Sequence, residues 1–301
     1  MDELTAKEQE ARKMVCLPLD GLATFDDAET RVKELGPVVG LFKVGKESYT
    51  RFGPDIVKMV QDHGANVFLD LKYHDIPNTV KGASGAATEK LSWVFNVHAS
   101  GGRAMMEAAV EGALKAMKEY GIPKPNVIGV TVLTSIGPAE YLDINRSLVS
   151  ELNAEDLMPY FGMKSDEHEK QESFAGLLDE MGYGDLTIED ERGYRCDVVE
   201  QQVLNLALMS RDCGLDGIVC SAADLHAVRE HLPNDFLYVT PGIKGPNTPA
   251  GEDQARVFTP GHAVEDGSSI LVIGRAITRP DTAEGRLLAG YEVLQDMAKY
   301  L

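Results

Sequence analysis

No apolar run in this 301-residue chain approaches the roughly 18 residues that a membrane-spanning helix needs, so no bilayer span is expected. Basic charge is scarce as well: 29 Lys plus Arg stand against 48 Asp plus Glu, a net charge of −19. Such a surface lacks the attraction on which nucleic-acid and anionic-membrane binding depend, and neither partner is expected. A small anionic substrate stays within reach, because a few local cations outweigh a distant field. Only four cysteines occur (Cys16, Cys196, Cys213 and Cys220), with no C-x-x-C pair and no Cys/His cluster. A disulfide framework and a structural zinc site are therefore not expected. The opening MDELTAKEQE is polar and acidic, so no secretory signal is expected and the thiols fit a reducing cytoplasm. A nucleophile elbow, a P-loop and an HExxH motif are all missing.

What the chain does have is alternation. Eight short apolar runs, Met14–Asp20, Val38–Gly45, Asn66–Lys72, Ser92–His98, Asn126–Leu133, Asp216–Ser221, Phe236–Pro241 and Ser269–Gly274, are separated by helical patterns. Near-continuous apolar runs of this length suit parallel strands covered on both faces. Phe52, Ile56, Met59 and Val60 form one helical stripe, Met105, Ala109, Ala113 and Ala116 another. Leu287, Tyr291, Leu294 and Leu301 form a stripe at the end of the chain. Eight strands alternating with helices predict an α/β fold, a (β/α)8 TIM barrel. The rival, a doubly wound open sheet, lacks a G-x-G-x-x-G after the first strand. The whole of 1–301 reads as one barrel domain, interrupted between the fifth and sixth strands by more residues than a βα unit needs. The excess, Glu151–Arg195, carries 13 acidic and 4 basic residues and reads as a partly helical, largely solvated insertion. A charged surface decoration is the plain reading of it; a lid or an oligomer contact is the alternative.

In a parallel barrel, function collects at the C-terminal strand ends. The first strand ends in Asp20, the second carries Lys43, and the third ends Asp70-Leu71-Lys72, with Asp75 in the loop beyond. Strand alternation puts Asp70 and Lys72 on one face, and an adjacent strand brings Lys43 near both. Charges at an otherwise apolar mouth are costly unless paired, so the cluster suggests function, with a structural ion pair as the alternative. A second constellation joins Thr240-Pro241-Gly242-Ile243-Lys244-Gly245 to Ile273-Gly274-Arg275. Loops after strands seven and eight commonly hold phosphate, Gly274 lets backbone approach, and Arg275 offers a planar fork. His98 could serve as a base, but a hydrogen-bonded histidine at the mouth is the better reading. Trp93 reads as core.

The motifs FKVGKE (Phe42–Glu47), FLDLKYHDIPNT (Phe68–Thr79), NVHASGG (Asn96–Gly102), VTVLTS (Val130–Ser135), CGLDGIVCS (Cys213–Ser221), TPGI (Thr240–Ile243) and VIGRAIT (Val272–Thr278) resemble, in order, those of the orotidine 5′-phosphate decarboxylase family. The resemblance implies decarboxylation of orotidine 5′-phosphate to UMP at C6 of the pyrimidine, with no metal and no cofactor. Lys72 is implied as proton donor, Asp70 as neighbour of the substrate carboxylate, and Lys43 as the group that holds Asp70 and reaches the ribose. Asp20 is implied on the ribose and Thr134 on the pyrimidine edge. Gln254, Gly274 and Arg275 are implied on the phosphate. Asp75 is implied to cross into the other subunit's site, with Thr79 lining that neighbouring site, which makes a homodimer with shared active sites. At Lys244, relatives with TPGIR carry Arg, so a fork becomes a point charge here.

The chemistry agrees with that assignment. Losing CO2 leaves an electron pair in the ring plane, where no π system delocalises it. With no thiamine, pyridoxal or metal motif, the side chains themselves must supply a pre-positioned cation. The magnesium-dependent branch of the same superfamily carries an acid at the position of Lys43, and a lysine there repels a metal. A nucleotide-binding protein without catalysis is the non-enzymatic alternative.

Overall fold

Eight short strands pair in parallel and close on themselves. In this computed structural model, residues 3–137, 140–141, 144–145, 187–189, 195–246 and 258–301 are described. The barrel strands are β1 (Val15–Pro18), β2 (Leu41–Gly45), β3 (Asn66–Tyr73), β4 (Val94–His98), β5 (Asn126–Val130), β8 (Gly217–Val219), β9 (Leu237–Pro241) and β10 (Ile270–Val272). They run β1-β10-β9-β8-β5-β4-β3-β2 around the closed barrel, so each expected strand is present and the fold is the TIM barrel. Strand β2 shows why an apolar run was the right signal: all five of its residues are buried, as helices outside and side chains inside require.

Cys16, Leu41, Phe68, Val94, Ile128, Val239 and Ile270 come from seven different strands and pack into one cluster, against which Val219 of β8 and Trp93 also pack. Only the barrel interior brings one residue from every strand together. Fully burying a side chain such as Phe68 contributes about 1.5–3 kcal/mol. The pleat repeats every two residues. Two residues further along, the same interior face holds Lys43 after Leu41, Asp70 after Phe68 and Asn96 after Val94. The apolar plug is thus the floor on which the polar residues stand.

The helices start where their caps allow. Thr24 and Asp27 form a capping box for the Phe25–Leu35 helix. Pro77 opens the Pro77–Glu89 helix, where its missing N–H costs nothing. The polar opening of the chain also becomes a helix, Ala6–Met14, boxed by Thr5 and Glu8. Two expected stripes are corrected. Gly53-Pro54 splits the first into the Lys46–Phe52 and Asp55–Asp62 helices, because proline cannot continue a helix. In the Ala283–Met297 helix the buried face is Gly290, Val293, Leu294 and Met297, the true i, i+3, i+4, i+7 set, while Leu301 lies beyond the helix and is exposed.

Chain contacts define two units, Met1–Thr131 with Leu206–Leu301, and Val132–Asn205. The second begins just after β5 and is wider than the Glu151–Arg195 insertion expected from the sequence. Most of that insertion, including its expected helical part, lies outside the described residues. What is described within this unit includes β6 (Thr187–Glu189), paired antiparallel with β7 (Arg195–Asp197). None of the described helices is long and apolar enough to cross a membrane.

Candidate active site

The C-terminal ends of β1, β2 and β3 carry a line of alternating charge. Lys43 Nζ donates to Asp20 Oδ2 at 2.8 Å and lies 3.1 Å from Asp70 Oδ2. Lys72 Nζ donates to Asp70 Oδ1 at 2.5 Å. Lys43 and Asp70 are buried, with side chains about one-tenth exposed, whereas Asp20 and Lys72 reach solvent at 41% and 26%. The parallel register explains the meeting: Gly45 of β2 faces Asp70 of β3, so Lys43 lies one pleat away. Gly45 is needed for the crowding, since a Cβ there would sit 2.6 Å from Asp20 Oδ1 and 2.8 Å from Lys43 Nζ.

Burial works against the charge on Asp70, but Lys43, Lys72 and two hydrogen bonds outweigh it and hold its carboxyl below the usual range. Burial likewise opposes the charge on Lys43, yet Asp70 and Asp20 raise its affinity for the proton. Lys43 and Asp70 thus stabilise each other's charged form although both are buried.

Plain alternation does not deliver Lys72. Between Leu69 and Tyr73 the pairing with β4 slips: Leu69 faces Phe95 and Tyr73 faces Val97, so four steps along β3 match two along β4. Lys72 takes up the slack in the left-handed region, at φ 50°, a conformation a lysine adopts only when its surroundings hold it there. The expected pairing with Asp70 is realised, by a bulge rather than by a regular strand. Asn96 of β4 completes the arrangement, and sequence reasoning overlooked it. It is fully buried, donates from Nδ2 to Asp70 Oδ1 at 2.7 Å, and accepts the Lys72 backbone N–H at 2.8 Å. The available signal was an asparagine at an interior position with apolar residues on both sides, VFNV (Val94–Val97).

Asp75 stands apart from this network. It is exposed, and its Oδ1 accepts the N–H of Ile76, a residue itself 66% exposed. Thr79 is exposed in the first turn of the Pro77–Glu89 helix. His98 does not behave as a base poised near neutrality. Burial and the nearby His74, Lys46 and Lys72 depress it to about 4, and its ring lies 5.2 Å from that of His74.

The second constellation assembles beside the same strand ends. A cavity of about 660 Å³ is lined by Gly242, Lys244, Gly274, Arg275 and Arg279, among others. Lys244 and Arg275 are thus neighbours of one space, as a shared anion requires, and Arg279 adds a cation that sequence reasoning did not weigh. Glu292 lines the same cavity and moderates its charge. Thr134 is exposed and falls in the Val132–Asn205 unit, and Gln254 lies outside the described residues.

The profile of the orotidine 5′-phosphate decarboxylase / HUMPS family matches residues 13–179 and 177–286. The chain belongs to this family. The two matched segments meet inside the Glu151–Arg195 stretch. Orotidine 5′-phosphate decarboxylase of Syntrophus aciditrophicus is 39% identical over 297 residues, 99% of this chain and 98% of that one. The decarboxylase of Vibrio cholerae is 38% identical over 266 residues, 88% of this chain and 90% of the relative. Among solved structures, orotidine 5′-phosphate decarboxylase from Lactobacillus acidophilus superimposes with a TM-score of 0.65 at 30% identity, covering 94% of this chain and 98% of that one.

Proposed function

We propose that this chain is an orotidine 5′-phosphate decarboxylase, which converts its substrate to UMP and CO2 in pyrimidine biosynthesis without metal or organic cofactor. The observation that carries the reading is the Asp20–Lys43–Asp70–Lys72 line of charge at the barrel mouth, in a chain of this family. The bond from C6 to the carboxylate carbon breaks, CO2 leaves, and the electron pair stays on C6. The Lys72 ammonium favours that pair electrostatically as it develops and then gives it a proton from Nζ. Neutral Lys72 regains its proton from solvent. Asp70, ionised and held by Lys43, stands beside the substrate carboxylate, and this like-charge contact is relieved when CO2 departs. Asp20 and Lys43 take the ribose. Lys43 bridges two carboxylates with its own charge, which supports the metal-free branch of the family over one that binds a cation there.

The cavity lined by Lys244, Arg275 and Arg279 takes the phosphate, with backbone approach at Gly274; Gln254, outside the described residues, is assigned to the phosphate by the family resemblance alone. Because the phosphate is remote from C6, its binding energy is available to position the ring. Replacing Arg275 with alanine is expected to raise KM by about 10- to 100-fold, the worth of a charge-assisted bond, with a smaller change in kcat. Initial rates across substrate concentration check this, and an unchanged KM removes Arg275 from the phosphate site.

The remaining assignments follow from the same reading. Thr134 reads the pyrimidine edge. Two copies of the chain form a homodimer in which Asp75 and Thr79 complete the partner's site. Residues 1–301 make one barrel domain with an excursion at 151–195, at work in the cytoplasm. The deciding assay follows loss of the orotate ultraviolet chromophore from orotidine 5′-phosphate in excess EDTA. Rapid loss is expected, and no loss with UMP still bound would replace the enzyme by a nucleotide-binding protein.

A further inference from the structure

Every polar atom of the Asn96 side chain is committed within the site. A carboxylate can only accept and a backbone N–H can only donate, so Asp70 and Lys72 together fix which end of the amide faces which. The partners are the two residues that face the reacting carbon in the proposed function. Asp70 Oδ1 receives both Lys72 Nζ and Asn96 Nδ2, at 2.5 and 2.7 Å, while Oδ2 is left to Lys43. The other end of the amide holds the backbone of Lys72 where β3 has slipped against β4 and the lysine is at φ 50°.

We infer that Asn96 is a positioning residue for the decarboxylation: one amide fixes the Asp70 carboxylate and the Lys72 backbone at once, and so sets where the proton-donating ammonium stands. The inference rests on the proposed function for what Lys72 does. The physical reasons are local. An uncommon backbone conformation persists only where its surroundings over-determine it, and here the Lys72 N–H has a buried side-chain acceptor rather than a strand carbonyl. A carboxylate held by one lysine on each oxygen could still rotate with them. The amide, anchored on a different strand, stops it. A hydrophobic residue at this position would leave the Lys72 N–H and one Asp70 lone pair without partners at the buried end of the site.

Two variants test this alongside the wild-type enzyme. In Asn96→Ala both bonds are lost, and kcat is expected to fall about 10- to 100-fold while KM and the dissociation constant for UMP change by less than about threefold. A structural role alone would lower the melting temperature without that split. Asn96→Asp keeps the acceptor for Lys72 N–H but replaces the donor with a carboxylate facing Asp70, with Lys72 and Lys43 as the other charges around it. When that pair shares a proton, the acid O–H restores the lost donor. The ratio of variant to wild-type kcat is therefore expected to rise about tenfold between roughly pH 8 and pH 5. A folded Asn96→Ala with kcat within about twofold of wild type, or with only KM changed, overturns the inference. If Asn96→Ala does not fold, the Asn96→Asp ratio decides, and a flat ratio overturns it. Wild-type protein that leaves orotidine 5′-phosphate intact removes the proposed function and this inference with it. Active wild type with indifferent variants removes the inference alone.

Discussion

Replacing Lys72 with alanine is expected to lower kcat by roughly 10⁴-fold or more while leaving UMP bound within a few-fold of wild type. In the proposed function the loss is this large because one ammonium serves twice, first as the charge that favours the electron pair on C6 and then as the acid that protonates it. UMP has no carboxylate at C6, so its binding depends little on that charge. The Asp70 carboxylate keeps Lys43 at 3.1 Å and Asn96 at 2.7 Å in the variant, so the fold around it is expected to survive. Lysine-to-arginine is not expected to rescue turnover, because a planar fork with a higher pKa neither fits the bulge nor gives up its proton. Chromophore loss measures kcat and calorimetry measures UMP affinity. Turnover near the wild-type rate would withdraw the proton-donor role.

The second large effect concerns Asp75. Among the described residues its carboxylate forms no ion pair with the charged line and instead accepts the N–H of the neighbouring, exposed Ile76. In the proposed homodimer Asp75 is given to the other subunit's site, and its exposure on the single chain is compatible with that role. Asp75→Asn alone is expected to be almost inactive, and so is Lys72→Ala alone. Mixed after reversible dissociation in equal amounts, the two are expected to recover about a quarter of wild-type activity. Half of the dimers are then hybrids, and each hybrid has one site free of both changes. No recovery, with hybrids confirmed by mass spectrometry, would mean that Asp75 serves its own chain.

The barrel was legible because its strands are buried on both faces, and the sequence shows this as eight apolar runs of the right length. Lys43, Asp70 and Lys72 were legible for a related reason. Charges within such runs are costly unless they pair, so runs like LFKVG and FLDLK announce a site. Asp20 was marked by its place at a strand end, and Gly274 with Arg275 by a glycine-rich neighbour in another loop. Asn96 went unnoticed because one uncharged amide in a strand is common, and only its two partners make it unusual. Arg279 was missed because its relevance depends on the cavity it shares with Lys244 and Arg275, which three separate segments build. The buried face of the last helix was misread because Leu301 was counted into a helix that ends at Met297.

Composition and periodicity by themselves determined the barrel, the strands that compose it and the ends at which its chemistry collects, since burial on both faces leaves short, nearly continuous apolar runs. Tertiary structure alone decided how the charged groups meet. It set the β2–β3 register that brings Lys43 to Asp70, the slip against β4 that turns Lys72 into the left-handed region, and the Asn96 amide that secures both. The reason is that register and bulges depend on hydrogen bonds between residues distant in sequence, and no local pattern records those partners.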